Sequence, residues 1–132
     1  LTIAVRKGDT RIKRIEDLTG KTVGVLGGTT GEAFARESKF VGPANTRSYQ
    51  SNEQRFGDLV NGNIDAIIVH FLARVDPSME IVGTPLSQAF YGIVTNLGND
   101  SLMGEINAIL RDLKRSGQLK NIKKKYMNAE AD

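Results

Sequence analysis

The stretch Gly27–Glu32, which reads GGTTGE, places two hydroxyls and a carboxylate directly after an apolar run. Thr29 and Glu32 stand three residues apart, the spacing of a capping box in which Thr29 precedes a helix. A helix N-terminus carries unpaired N–H groups and about half a positive charge, so it receives a carboxylate or a phosphate well. The spacing predicts a helix start at which the Thr30 hydroxyl and the Gly31 amide are open to an anionic ligand. A capped turn without any ligand accounts for the same residues.

His70, the one histidine of the chain, comes directly after the apolar segment NIDAIIV. A neutral imidazole there offers a hydrogen bond to a ligand, and a packed histidine without a ligand is the alternative. The chain has no cysteine, no second histidine and no clustered pair of carboxylates, so neither a metal site nor a cofactor is expected. Walker, GxGxxG and GxSxG motifs are absent as well, which argues against an enzyme, although His70 or Glu32 could act as an acid or a base.

Apolar segments of strand length alternate with segments of helical periodicity along the chain. Strands are predicted at LTIAVRK, TVGVL, ANTRSYQ, NIDAIIV, MEIVG and AFYGIVTN, and helices or helical turns within RIKRIEDLTGK, from Thr30 to about Ser38, after Ser51, at HFLARV, from about Asn99 to Gly117 and over QLKNIKKKYM. This alternation is typical of an α/β fold with a mostly parallel sheet flanked by helices. In such sheets, ligands bind beyond the carboxyl ends of the strands, and GGTTGE and His70 each follow a buried strand.

The charge of the chain is unevenly distributed around a net value of +3. Arg111–Lys125 carries seven basic residues and one acidic residue, and Leu119, Ile122 and Tyr126 recur among the lysines at helical spacing. This pattern favours an amphipathic helix with a solvated lysine face over a nucleic-acid surface, because no glycine-aromatic pattern for base stacking accompanies it. The length of 132 residues fits one domain, and the chain has no apolar stretch of about 20 residues that would cross a membrane.

Three segments, in order and with fitting spacing, resemble the second lobe of family 3 periplasmic solute-binding proteins. These are the Venus-flytrap proteins that bind amino acids for ABC importers. The segments are IEDLTGKTVGVLGGTTGEAF, NGNIDAIIVHF and FYGIVTNLGNDSLMGEINAILRDLKRSGQLKNIKKKYM. The resemblance implies a periplasmic-binding-protein-like (type II) lobe followed by C-terminal helices. It places an outgoing hinge strand at 1–7, the second lobe at 8–88, and a returning hinge strand with C-terminal helices at 89–132; the first lobe is then largely missing.

The resemblance also implies where a ligand binds. Leu26, Thr29, Thr30 and Gly31 would line the cleft, with the two hydroxyls and the helix amides taking the carboxylate of the ligand. The family's second-lobe aspartate, which pairs with the ammonium group of the ligand, falls at His70 in this chain. A neutral imidazole lacks the charge that makes such a pair strong. The sequence therefore does not predict a standard α-amino acid as the ligand.

The expected function is the binding of a small carboxylate-bearing solute, such as an amino acid, for an ABC permease in the periplasm or outside the cell. The ligand-binding part of a receptor channel or sensor kinase is an alternative, as is a dehydratase-like enzyme on the same fold. Apolar stripes on the C-terminal helices would need a partner surface: the second lobe, a second copy of the chain or a complementing first lobe. Tyr91, near the returning hinge strand, is a weaker candidate for ligand contact.

Overall fold

The computed structural model of the protein describes residues 1–70, 76–88 and 92–127. By its internal packing, the chain divides into two units, Leu1–Ala89 and Phe90–Asp132. The predicted helical turn at HFLARV lies outside the described residues except for His70, and so does Tyr91.

The first unit is built on a five-stranded mixed sheet with the order β3-β2-β4-β1-β5. Its strands are β1 (Thr2–Arg6), β2 (Val23–Leu26), β3 (Thr46–Tyr49), β4 (Ala66–Val69) and β5 (Met79–Val82). β2 runs parallel to β3 and β4, whereas β1 runs antiparallel to β4 and β5. The predicted α/β class is confirmed. Four of the five described strands run in the same direction, as expected of a mostly parallel sheet, and β1 runs against them.

The direction of β1 is not encoded in its side chains. Four consecutive residues, Thr2–Val5, are buried, because β1 lies between β4 and β5 and packs into the core on both faces. A continuous buried run is typical of parallel strands in α/β proteins. Any central strand that is covered on both faces gives the same pattern, so the run indicated burial and not direction.

Two helices cover opposite faces of this sheet. They are α1 (Thr30–Glu37) and α2 (Asn52–Val60), and short 3₁₀ turns lie at Ile15–Leu18 and Pro43–Asn45. Ala35 of α1 belongs to a buried cluster with Ile68, and Leu59 of α2 belongs to a second cluster with Ile67. Ile67 and Ile68 are neighbours on β4, and successive side chains of a strand point to opposite faces. The two helices therefore share β4 as their support.

The second unit contains two helices, α3 (Asp100–Arg115) and α4 (Gln118–Met127), with Gly117 between them. Gly117 has φ +75°, the left-handed conformation in which a helix commonly ends. Both helices and the glycine stop agree with the sequence prediction. No residue of α3 is buried, and Ile109 of its predicted apolar stripe is 58% exposed.

The predicted strand at AFYGIVTN is not formed over its described residues, 92–96. Ile93 is 54% exposed and Val94 is 91% exposed. A β-rich segment becomes a strand only when a neighbouring strand satisfies its N–H and C=O groups, and none of the described strands pairs with this segment. The prediction is therefore wrong for these residues, although their composition favours a strand.

Gly83, directly after β5, has φ +73°, and a Cβ at this position would lie 2.8 Å from the carbonyl oxygen of Lys13. We expect Gly83→Ala to lower the free energy of unfolding by about 2 kcal/mol, because both the backbone and this contact become strained. The control is Gly57→Ala inside α2, where an added Cβ meets nothing within 4 Å. It should raise the free energy of unfolding by about 0.5 kcal/mol. Urea unfolding followed by circular dichroism measures both, and equal stabilities would contradict the prediction.

Candidate ligand-binding site at the start of α1

Thr29 joins the end of β2 to the start of α1 through its hydroxyl. The hydroxyl donates to the carbonyl oxygen of Leu26 at 2.7 Å and accepts the N–H of Glu32 at 3.4 Å. The backbone of Thr29 is extended, with φ −104° and ψ 163°, as is usual for an N-cap residue. The predicted N-cap is therefore confirmed, and the hydroxyl hydrogen of Thr29 is already used within the chain.

The carboxylate of Glu32 departs from the predicted capping box. It accepts the N–H of Gly28 at 2.8 Å instead of that of Thr29, because the left-handed turn at Gly28, with φ +71°, brings this N–H within reach. It also accepts the hydroxyl of Ser48, and the Nε–H and Nη2–H of Arg36 at 3.1 and 3.0 Å. The Ser48 hydroxyl, the Gly28 N–H and the Arg36 guanidinium lower the pKa of Glu32 to about 2. Glu32 is thus a charged but well-compensated group.

Thr30 and Gly31 form the first turn of α1 beside the end of β4. Thr30 is exposed, and its Oγ1 lies 3.4 Å from Nε2 of half-buried His70; the ring tautomer decides which atom donates. Gly31 is buried, and a Cβ there would lie 3.6 Å from Cγ2 of Ile68. Within the described residues, no protein oxygen accepts the amides of Thr30 and Gly31. The positive end of the helix is therefore open beside a hydroxyl and an imidazole.

The structure brings the predicted site residues together at the carboxyl ends of β2 and β4, which are parallel neighbours. Half-buried Leu26 ends β2, and His70 directly follows β4. Thr29, Thr30 and Gly31 lie between them at the start of α1. This juxtaposition is observed, and the role of the five residues as ligand contacts stays a prediction. In the described part of the chain, no group of three or more metal-ligating side chains comes together.

Arg55 of α2 is a residue near this site that the sequence analysis missed. It is 4% exposed, and its guanidinium donates to the carbonyl oxygen of Ile68 at 3.0 Å and to Oδ1 of Asn52 at 2.7 Å. Ile68 is two residues before His70, so the guanidinium reaches the same end of β4 from the α2 side. The available signal was the position of Arg55 four residues before Leu59, on the apolar face of α2, where a charged residue is unusual.

Comparisons with known proteins bear on this site. No family model matches the chain. The L-cystine-binding protein TcyJ of Escherichia coli (strain K12) is 31% identical over 133 residues, which covers 96% of this chain and 49% of that protein. An ancestral arginine-binding protein bound to glutamine has a TM-score of 0.73 at 30% identity, over 97% of this chain and 59% of that one. Domain 2 from TmArgBP has a TM-score of 0.55 at 32% identity, over 66% of this chain and 98% of that domain.

The match to a single domain along nearly its whole length defines the class: the chain contains a lobe of the periplasmic-binding-protein type, as predicted. It belongs to the amino-acid-binding family of periplasmic solute-binding proteins, which confirms the resemblance in the sequence. The chain spans about half the length of the curated relatives it matches. These relatives are named as binding proteins. Among the described residues, no helix has the length and apolar character that crossing a bilayer requires.

Glu32→Gln tests whether the carboxylate secures the start of α1. Because the pKa of Glu32 is about 2 in the folded chain, below its ordinary value of 4.5, its contribution to stability is full above pH 4.5 and is lost as the pH falls towards 2. We expect Glu32→Gln to be less stable than the wild type at near-neutral pH, with the difference vanishing near pH 2. Urea unfolding across this pH range measures the effect.

The control for this experiment is Glu37→Gln, because Glu37 is an exposed residue at the end of the same helix. Its substitution should leave the pH dependence of stability as it is in the wild type. If Glu32→Gln had the same pH dependence as the wild type, the carboxylate would not stabilise the turn.

Proposed function

We propose that the chain binds a small carboxylate-bearing solute, such as an amino acid, at the start of α1. The observation that carries this proposal is the open positive end of α1, where the amides of Thr30 and Gly31 lie beside the Thr30 hydroxyl and His70. A carboxylate there would accept hydrogen bonds from both amides and the hydroxyl while it meets the partial positive charge of the helix. The relatives support the proposal, because they are named for binding cystine or arginine and one is bound to glutamine.

Each predicted site residue has a distinct role in this proposal. The Thr30 hydroxyl and the first amides of α1 contact the carboxylate. Thr29 acts by positioning, since it ties the helix start to the Leu26 carbonyl at 2.7 Å. Gly31 lets the helix lie against the end of β4, and His70 contacts the solute next to the carboxylate.

For the whole protein, we infer delivery of the solute to an ABC permease, in the periplasm or outside the cell. Residues 1–7 would act as the outgoing hinge strand, 8–88 as the second lobe, and 89–132 as the returning hinge segment and C-terminal helices. A complementing first lobe or a second copy would cover the apolar stripe of those helices. We infer no catalytic role, because the donors around Glu32 hold it as a charged carboxylate and the relatives are named for binding.

Thr30→Val removes the hydroxyl while it keeps the shape of the side chain. We expect the affinity for the carboxylate solute to fall about tenfold, because a hydrogen bond to a charged group is lost. An NMR titration of the ¹⁵N-labelled chain with L-arginine, L-glutamine and L-glutamate, followed at the amides of residues 29–32, measures this affinity. Thr84→Val, at an exposed threonine after β5, is the control and should leave the affinity unchanged.

Two results would contradict the proposed site. The amides of residues 29–32 could stay unshifted by all three solutes, or Thr30→Val could bind each solute as tightly as the wild type. Shifts confined to residues away from the start of α1 would count as the first of these results.

A further inference from the structure

Among the residues that the structure describes, no carboxylate offsets the buried charge of Arg55. Its Nη1 and Nη2 donate to neutral oxygens, and its Nε has no hydrogen-bond partner in the described part of the chain. None of the ion pairs formed by the described residues includes Arg55, and burial lowers the pKa of the group. The ring of Phe56, with its centroid 5.3 Å from the guanidinium carbon, is a weak substitute for an anion. A buried cation in this state is costly until an opposite charge approaches it.

The guanidinium and the start of α1 meet at one atom, the carbonyl oxygen of Ile68. Arg55 donates to this oxygen at 3.0 Å, and the position of a Cβ on Gly31 lies 3.7 Å from it. Ile68 lies one residue past Ile67, which forms the last register pair of β2 with β4. The charge therefore lies immediately behind the open turn of the helix, on the other side of the strand end.

Glu32, the other charged group beside this turn, adds little to the net charge of the site. Glu32 is matched by Arg36 at 3.0 Å and by two further donors, Ser48 and Gly28. The helix end contributes a further partial positive charge. The described residues around the turn thus present an excess of one positive charge, and the low dielectric around a buried group extends its reach.

We propose that Arg55 is a specificity-determining residue, which makes the site prefer solutes of net negative charge, such as dicarboxylic amino acids, over neutral or cationic ones. This inference rests on the proposed function, since it concerns the same site. A solute with one extra carboxylate offsets the buried guanidinium, whereas a zwitterion leaves it unmatched and a cation is repelled. Glutamate and glutamine differ in this charge at nearly equal shape, so they form a matched pair of probes.

The first experiment compares the two probes on the wild-type chain by NMR titration at constant ionic strength. We expect glutamate to bind about tenfold more tightly than glutamine, and arginine to bind most weakly. The Nε–H signal of Arg55 gives a second readout in the same samples. It should shift with glutamate and stay in place with glutamine, because only glutamate brings a charge towards the guanidinium.

Variants separate the charge of Arg55 from its structural bonds to Ile68 and Asn52. Arg55→Gln removes the charge, and the ratio of the two affinities should fall to about one. Arg55→Lys keeps the charge but not both bonds, and the preference for glutamate should remain. Lys13→Gln removes an exposed positive charge after β1 and should leave the ratio unchanged.

Three results would overturn the inference. They are equal binding of glutamate and glutamine by the wild type, an unchanged ratio in a folded Arg55→Gln variant, and an Arg55 Nε–H signal that glutamate does not move. If Arg55→Gln does not fold, the inference is tested by the Arg55 Nε–H signal of the wild type and by the affinity ratio of Arg55→Lys. Failure of the proposed function has a different signature, since the amides of residues 29–32 would then respond to none of the three solutes.

Discussion

A single threonine hydroxyl holds the two parts of the site in place. The Thr29 hydroxyl donates to the Leu26 carbonyl oxygen at the end of β2 and accepts the N–H of Glu32 in α1. This pair of bonds fixes where the helix begins, and so decides that the amides of Thr30 and Gly31 are the ones left open. Without it, the first turn would fray and its amides would lose a common direction.

Local chemistry made much of this arrangement predictable. The N-cap predicted at Thr29 depends on residues three positions apart, and the structure confirms it. The helix predicted after Ser51 begins in the same way, with the Ser51 hydroxyl accepting the N–H of Gln54. The hydrogen-bond partners of the Glu32 carboxylate were predictable only in part. One partner, Ser48, lies on β3 and is brought close only by the fold, whereas Arg36 lies four residues further along the same helix.

Features that depend on strand pairing between distant segments could not be predicted from the sequence. The burial of β1 was clear from its residues, but its antiparallel direction depends on which strands lie beside it. Residues 92–96 have strand composition without a described partner strand, so the same composition gave two different outcomes. Arg55 was missed for a related reason, since an arginine on a helix is usually exposed and its hydrogen bond to the carbonyl of Ile68 on β4 arises only from the fold.

The place of β1 in the sheet also sets an order of events during synthesis. β1 lies between two strands made much later, with Thr2 opposite Val69 and Arg6 opposite Met79. During synthesis, β1 can therefore pair with β4 only after Val69 has been made, and with β5 only after Val82 has been made. Folding of this unit therefore depends on contacts between strands that are far apart in sequence. A polypeptide released before Ala66 would expose both edges of β1, and one released before Met79 would expose the edge that pairs with β5; either would become a substrate for chaperones and proteases.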